Sequence, residues 1–187
     1  MQTIELTCEP ALDRAVRAVW RQLADGGVDS LADNPHPGHR PHLTLAACGT
    51  IAPDTLERVR EVLAGAVPVA VRFSGLLSFS ARSRRRVLAW GVVPSPELVD
   101  LHRAVWQELA TAPDPNEHYL PGRWMPHLCL TRRLEPADLA RAHDILGRHP
   151  DVTGTLDAAR TFDSDRQQTT WLAPVRTVPE VSGAQHP

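Results

Sequence analysis

Two histidines stand in nearly the same five-residue context in different parts of the chain. His42 lies in the sequence PHLTL and His127 lies in the sequence PHLCL. Side chains alternate across a β-strand, so in each motif the two leucines face one side. The histidine and the residue two positions later, Thr44 or Cys129, face the other side. Each motif therefore predicts a strand that carries an imidazole and a small side chain on one face.

A pair of histidines has an evident use in acid–base chemistry at phosphorus. One neutral imidazole can take a proton from an attacking hydroxyl or water, while the other, protonated, gives a proton to the leaving oxygen. This suits a phosphodiester, because both the attacking and the leaving atoms are oxygens. Thr44 and Arg40, which strand alternation places on the face of His42, would bind the non-bridging phosphate oxygens. The scheme needs neither a metal nor a cofactor.

The chain also resembles itself over most of its length. The sequence RAVWRQLA (17–24) matches RAVWQELA (103–110), and PDTLERVREVL (53–63) matches PADLARAHDIL (136–146). The two histidine motifs lie between these matches at almost the same offset. Three matches in the same order indicate two tandem copies of one unit of about 80–85 residues.

Both copies predict the order strand, helix, strand, helix, strand. The predicted elements are strands at 3–8 and 87–93, helices beginning at Pro10 or Pro96, the motif strands, helices beginning at Pro53 or Pro136, and strands near 67–73 and 152–158, with a further strand near 168–176. Proline is favoured in the first turn of a helix because its missing N–H needs no partner there. We therefore expect an α+β fold in which two pseudo-symmetric strand-helix-strand-helix-strand lobes flank a central cleft. A single bilobal domain would span 1–187, with lobes at about 1–82 and 86–178 and a tail at 179–187.

The composition excludes several classes of protein. The 187 residues are 42 % hydrophobic and 22 % charged, with a net charge of −2, which argues against a broadly basic, nucleic-acid-coating surface. All 20 basic residues are arginines, so chemistry that requires a lysine is excluded. The sequence lacks a long apolar run and a basic segment before an apolar one, so we expect no membrane span and no secretory signal. The scattered Cys8, Cys48 and Cys129 predict reduced thiols in a cytoplasmic protein.

A metal site is not expected, although His36, His39 and His42 are spaced by three residues. Prolines at 35, 37 and 41 interrupt this stretch, so the three imidazoles cannot share one helical face. Neither a cysteine nor an acidic residue completes a compact tetrahedral set around them.

The segment before the second motif contains candidate substrate-binding residues. His118, Tyr119 and Arg123 place aromatic rings close to a guanidinium, a combination that can stack on a base and bind a phosphate. We therefore predict that these three side chains contribute to substrate binding beside His127.

The two motifs, in their duplicated context, resemble the two-histidine (2H) phosphoesterase superfamily, in particular its 2′-5′ RNA ligase-like branch. The resemblance covers nearly the whole chain and includes the flanks HRPHLTLA (39–46) and HYLPGRWMPHLCL (118–130). It implies a bilobal α+β fold whose motifs line a central cleft. It also implies cleavage or sealing of 2′-linked or 2′,3′-cyclic phosphates in RNA ends and nucleotides, without metal or ATP. By position, His42 and Thr44 form the first motif and His127 begins the second.

The sequence departs from the family pattern at one position and leaves several functions open. The family has a hydroxyl residue where this chain has Cys129, and a thiol is a weaker hydrogen-bond donor. Thr131, one pleat further along, is an alternative donor. The chain is expected to be a phosphodiesterase with ligase-like chemistry, a nucleotide- or RNA-end-binding module with weak turnover, or an enzyme for a specialised cyclic phosphate. In each case we expect RNA ends or small nucleotides as partners and a monomeric protein. Which of His42 and His127 is the acid stays open.

Overall fold

The computed structural model describes residues 1–36, 38–147 and 151–174. Its elements are β1 (Gln2–Cys8), α1 (Pro10–Asp25), β2 (His42–Cys48), α2 (Pro53–Ala66), β3 (Val69–Ser80), β4 (Arg86–Val92), α3 (Pro96–Glu108), β5 (His127–Cys129), α4 (Pro136–Leu146), β6 (Val152–Asp163) and β7 (Gln168–Ala173), with single 3₁₀ turns at Arg82–Arg84 and Glu117–Tyr119. The predicted tail at 179–187 lies outside the described residues. Within the described ranges, no helix has both the length and the apolar character that crossing a membrane requires.

The seven described strands form one antiparallel sheet. Its order is β2-β1-β6-β3-β4-β5, and β7 pairs with β6. The third strand of each copy pairs with the first strand of the other copy, since β3 lies beside β4 and β6 lies beside β1. The two third strands also pair with each other at the centre of the sheet. A pseudo-twofold axis therefore passes between β3 and β6. The predicted α+β fold with two pseudo-symmetric lobes is confirmed.

The third strands are longer than the sequence pattern predicts. Strand β3 continues to Ser80 and β6 continues to Asp163, well beyond the predicted ends. In β3, the pairing with β4 shifts register between Phe73 and Leu76, and Gly75 has a positive φ of 72°. Such a bulge interrupts the two-residue alternation of side chains, because one extra residue is inserted in the strand. A prediction from hydrophobic alternation therefore ends β3 too early.

The core is built from the faces of the motif strands that point away from the histidines. Leu43, Leu45, Leu128 and Leu130 are at most 1 % exposed. The apolar stripes of the first helix of each copy pack against this layer; their buried members are Leu12, Val16 and Leu23 in α1 and Leu98, Leu101 and Val105 in α3. Burial of the leucines fixes the register of each strand, because a slip by one residue would move them to solvent and the histidines to the core.

The tryptophans of the repeated RAVW segments join the two copies. Trp20 of α1 donates its Nε1–H to the backbone oxygen of Cys129 at 3.1 Å. Its counterpart in α3, Trp106, donates to the backbone oxygen of Leu45 at 3.2 Å. Each indole therefore links the first helix of one copy to the motif strand of the other copy. Both indoles are almost completely buried, so these bonds hold the two motif strands without competition from water.

Removal of either indole N–H is expected to destabilise the protein. Trp20→Phe and Trp106→Phe keep most of the aromatic surface but leave a strand carbonyl without its donor. We expect each substitution to lower the free energy of unfolding by about 1–3 kcal/mol, measured by urea denaturation. Arg14→Ala, at an exposed position of α1, is the control and should change the free energy by about 0.5 kcal/mol or less. Equal stability of all three variants would contradict the bracing role of the two tryptophans.

Candidate active site

His42 and His127 begin the two motif strands at equivalent positions of the sheet. His42 lies opposite Thr7 of β1, and His127 lies opposite Gly91 of β4. The two rings also make equivalent hydrogen bonds. The Nδ1 atom of each lies close to the backbone oxygen two residues earlier, at 2.7 Å for His42 and 2.6 Å for His127. A carbonyl oxygen can only accept, so Nδ1 carries the hydrogen and the lone pair of the neutral ring is on Nε2.

The curvature of the sheet brings the two motif strands together. Strands β2 and β5 lie at opposite ends of the strand order, yet they contact each other. The two imidazoles are close enough to interact electrostatically. Burial lowers the pKa of His127, the charged form of His42 lowers it further, and the hydrogen bond to Met125 opposes both effects. With its pKa below the ordinary value, His127 is mostly neutral near pH 7.

A cavity of about 450 Å³ lies beside His127. Its wall combines apolar side chains with a few polar ones, namely Phe79, Ser80, Val87, Asn116, His118, Tyr119, Arg123, Met125, His127 and Cys129. The ring of Phe79 packs against the ring of His127 with 4.5 Å between their centroids. The predicted residues His118, Tyr119 and Arg123 therefore line one cavity together with the second motif. The guanidinium of Arg123 also pairs with Glu117 at 2.7 Å on the exposed rim.

A smaller and more polar cavity, of about 220 Å³, lies beside His42. It is lined by Glu5, Asn34, His36, Gly38, His39, His42, Arg160, Phe162 and Gln167. His39 stacks on Trp20 at 5.0 Å and lies edge-on to His42 at 6.3 Å. Burial is the main reason that the pKa of His39 falls to about 4, so this ring is neutral at pH 7. Within the described ranges, no three histidine, cysteine or acidic side chains are grouped so that they could hold a metal ion.

A buried ion pair lies beside His42. Glu5 of β1 and Arg160 of β6 are opposite each other in the sheet, and their Oε2 and Nε atoms are 2.8 Å apart. The other carboxylate oxygen accepts a hydrogen bond from Thr3 at 2.7 Å and lies 3.7 Å from His42 Nε2. Burial tends to raise the pKa of Glu5, but the nearby His42 and Arg160 lower it on balance. Glu5 is therefore an ionised carboxylate in the site.

The sequence analysis did not single out Glu5 or Arg160, although one signal was available. In β1, Ile4 and Leu6 are buried in the core, so the same alternation that orients the motif histidines turns Glu5 to the opposite face. A carboxylate that is buried on a sheet face needs a partner. The partner could not be identified, because Arg160 is 155 residues away and the pairing of β1 with β6 was not predicted.

The residues two positions after each histidine have different surroundings. Thr44 is half-buried and lies near Tyr119, where its side chain tends to lower the pKa of the phenol. Burial raises the pKa of Tyr119, so its phenol is protonated. Cys129 lies beside His127, and burial raises the pKa of its thiol to about 11. Such a thiol is neither a nucleophile nor a reactive redox group at neutral pH.

The structure does not bring Arg40 and Thr131 to the two cavities. The guanidinium of Arg40 lies 3.7 Å from Asp13 and 6.0 Å from the ring centre of Trp171. Thr131 is 2 % exposed, and its hydroxyl accepts the N–H of Leu88 and donates to the carbonyl of Arg132. Strand β5 ends at Cys129, so alternation no longer determines where Thr131 points. We leave both residues out of the site proposed below.

The duplicated fold, with one imidazole at the start of each motif strand, is that of the two-histidine phosphoesterases. Residues 9–180 match the 2′-5′ RNA ligase superfamily, and the chain belongs to this family. A sequence search of curated proteins gives no significant match.

Several solved structures share the fold of this chain over most of its length. Usb1 of Kluyveromyces marxianus is 12 % identical, with a TM-score of 0.54 and coverage of 91 % of this chain and 96 % of that one. TT0787 of Thermus thermophilus is 17 % identical, with a TM-score of 0.56 and coverage of 91 % and 94 %. LigT of E. coli in its apo form is 18 % identical, with a TM-score of 0.53 and coverage of 91 % and 93 %. At these identities the likeness establishes a common fold.

Proposed function

We propose that the protein is a metal-independent phosphodiesterase with ligase-like chemistry in the reverse direction. Its substrates are 2′,3′-cyclic or 2′-5′-linked phosphates of RNA ends or nucleotides. The observation that carries this proposal is the matched pair of hydrogen bonds from His42 and His127 to backbone oxygens. These bonds orient both rings through Nδ1 and leave two Nε2 atoms for one proton transfer each.

Cleavage of a 2′-5′ linkage illustrates how two such imidazoles would act. The neighbouring 3′-oxygen forms a bond to phosphorus, and the bond from phosphorus to the 5′-oxygen breaks. One Nε2 accepts the proton of the attacking hydroxyl, and the other donates its proton to the departing oxygen. The products are a 2′,3′-cyclic phosphate and a free 5′-hydroxyl, and ligation is the same sequence in reverse. With water as the attacking group, the cyclic phosphate opens to a phosphomonoester.

The cavity beside His127 is suited to the nucleoside part of the substrate. Its aromatic side chains, Phe79, His118 and Tyr119, offer faces on which a base could stack. The hydroxyl of Thr44 and the thiol of Cys129 would donate to the non-bridging phosphate oxygens between the two histidines. One of the proteins with this fold, Usb1, has been solved with uridine monophosphate, which supports a nucleotide ligand for the cavity.

Activity in the presence of a chelator tests the proposal. Purified protein should convert 2′,3′-cyclic mononucleotides or 2′-5′ dinucleotides at the same rate with and without EDTA, because the proton transfers require no metal. Products are separated by liquid chromatography, and His42→Ala and His127→Ala preparations control for contaminating nucleases. Turnover that EDTA abolishes would contradict the two-histidine mechanism.

A binding module is the second candidate function, and Cys129 is the observation that favours it. The thiol in place of a hydroxyl weakens the donor set around the phosphate in the second motif. A binder would take up nucleotides in calorimetric titrations while leaving every cyclic and 2′-5′-linked substrate intact. Measurable turnover that depends on both histidines excludes this alternative.

A further inference from the structure

The two halves of the active site differ in charge at equivalent positions of the sheet. Glu5 of β1 and Ala89 of β4 each lie opposite the residue two positions after the histidine of the paired motif strand. On the other side of these strands, Arg160 pairs with Glu5, and Leu77 pairs with Ala89. A carboxylate and a guanidinium in one half thus correspond to two apolar side chains in the other. Because these residues differ, the two imidazoles have different electrostatic environments.

The carboxylate of Glu5 is held so that one of its oxygens faces His42. Its Oε2 accepts from Arg160 Nε at 2.8 Å, whereas its Oε1 lies 3.7 Å from His42 Nε2. Thr3 donates to the same Oε1, and a second nitrogen of Arg160 donates to the carbonyl of Gly38 at 2.7 Å. The side chains of Glu5 and Arg160 are only 4 % and 5 % exposed. Because both oxygens of Glu5 and the guanidinium of Arg160 are held by hydrogen bonds, the carboxylate cannot turn away from the imidazole.

The nearby cations on the His42 side are paired with carboxylate oxygens, and His36 of the same cavity lies edge-on to the ring of Phe162 at 5.4 Å. His39, on the loop before β2, is neutral at pH 7 because burial lowers its pKa to about 4. Arg40 is turned to Asp13 at 3.7 Å. Arg160 contacts Oε2 of Glu5, whereas Oε1 is the oxygen that lies 3.7 Å from His42 Nε2. Among the described residues around this ring, Glu5 is thus the anion placed to stabilise a protonated His42.

In the second half, Arg123 is paired with Glu117 at 2.7 Å, and three further ionisable groups are neutral near pH 7. Burial lowers the pKa of His127 and raises the pKa values of Tyr119 and Cys129. At the place of Glu5, this half has Ala89, which offers no charge to His127. His127 Nε2 therefore carries an unprotonated lone pair in the resting protein.

On the basis of the proposed function, we propose that Glu5 is a positioning residue that keeps the catalytic proton on His42. His42 is then the general acid at the leaving oxygen, and His127 is the general base at the attacking oxygen. In cleavage of a 2′-5′ linkage, His127 Nε2 takes the proton of the 3′-hydroxyl as the new bond to phosphorus forms. His42 Nε2 gives its proton to the 5′-oxygen as the old bond breaks.

An NMR titration of the imidazole resonances tests the role of Glu5 without any substrate. In Glu5→Gln, the titration midpoint of His42 should fall by about one pH unit or more, and that of His127 should move much less. The double substitution Glu5→Ala with Arg160→Leu provides a second variant, because it reproduces the side chains of Ala89 and Leu77 and leaves no unpaired buried charge. It should also lower the His42 midpoint. A midpoint that stays unchanged in the folded variants overturns the inference.

A substrate with an activated leaving group tests the assignment of acid and base. From a nucleoside 2′-(p-nitrophenyl phosphate), the 3′-oxygen displaces p-nitrophenolate, which leaves with the electron pair and needs no proton. His42→Ala and Glu5→Gln should cleave this ester within about tenfold of the unchanged protein, while losing far more activity on a 2′-5′ dinucleotide. His127→Ala should lose activity on both substrates. If the activated ester restored the activity of His127→Ala and not that of His42→Ala, His127 would be the acid and His42 the base. That result would overturn the assignment.

The pH profile separates this inference from the proposed function. The acidic limb of kcat/KM should lie below pH 6.5, since burial lowers the pKa of His127 from that value and the base acts in its neutral form. Glu5→Gln should shift the alkaline limb to lower pH and leave the acidic limb in place. Absence of turnover by the unchanged protein on both substrates contradicts the proposed function and the acid role with it. An active enzyme with an unshifted alkaline limb contradicts the inference about Glu5 alone.

Discussion

Replacement of His42 or of His127 by alanine is expected to slow cleavage of an unactivated 2′-5′ dinucleotide by about 10²–10⁴-fold. In the proposed mechanism, each substitution removes one of the two proton transfers and leaves binding of the phosphate largely intact. Replacement of both histidines should cost little more than replacement of one, because members of a catalytic unit are strongly non-additive. Because phosphate binding is retained, the loss should appear in kcat more than in KM. Initial rates over a range of substrate concentrations separate the two.

His143→Ala is the matched control for this experiment. His143 is an exposed histidine of α4 outside both cavities, so its removal changes the histidine content without touching the site. The His143→Ala variant should cleave the dinucleotide at the rate of the unchanged protein. A double variant of His42 and His127 with near-normal turnover would show that catalysis resides elsewhere in the chain.

Cys129→Thr is expected to accelerate catalysis by about ten- to hundred-fold. A hydrogen bond to a charged oxygen contributes about 1.5–3 kcal/mol, and each 1.36 kcal/mol corresponds to about a factor of ten in rate. The substitution gives the second motif the hydroxyl that Thr44 gives the first. It leaves the backbone carbonyl that accepts from Trp20 unchanged, so the strand should keep its position. The gain is expected in kcat if the new bond strengthens as charge builds up on the phosphate oxygens.

Valine provides the control for the hydroxyl itself. Cys129→Val has nearly the shape of threonine but no donor, so it should not accelerate catalysis. Thr44→Val should reduce the rate by a factor similar to the one that Cys129→Thr gains. Thr131→Ala should affect stability more than activity, because its hydroxyl bonds to backbone groups. If Thr131→Ala abolished activity and Cys129→Thr left it unchanged, the second hydrogen-bond donor would be Thr131.

Local signals in the sequence were sufficient to predict the elements that carry the histidines. The four helices in the described part of the chain begin at Pro10, Pro53, Pro96 and Pro136, as the preference of proline for the first turn predicts. Alternation within each motif placed the leucines in the core, and their burial confirms this prediction. These features depend on neighbours within a few residues, so a single sequence is enough to predict them.

Features that depend on distant pairing could not be predicted in the same way. The duplication predicts two similar halves, but it does not indicate that β3 and β6 each pair with the first strand of the other copy. The contact of Glu5 with Arg160 depends on that exchange. The orientation of Arg40 depends on Asp13, because a long side chain on a loop follows its ion-pair partner more than its position in the sequence.

The exchange of third strands also bears on how such a chain could arise. A single copy would leave the edge of its own first strand unpaired, whereas two identical copies would complete each other as a twofold-symmetric dimer with one histidine from each subunit. In that homodimer, any carboxylate beside one histidine would stand beside both, so neither imidazole would be favoured as the base. Fusion of the two copies into one chain removes this constraint. In the roles proposed above, a carboxylate at position 5 and a methyl group at position 89 would let one ancestral histidine specialise as proton donor and the other as proton acceptor.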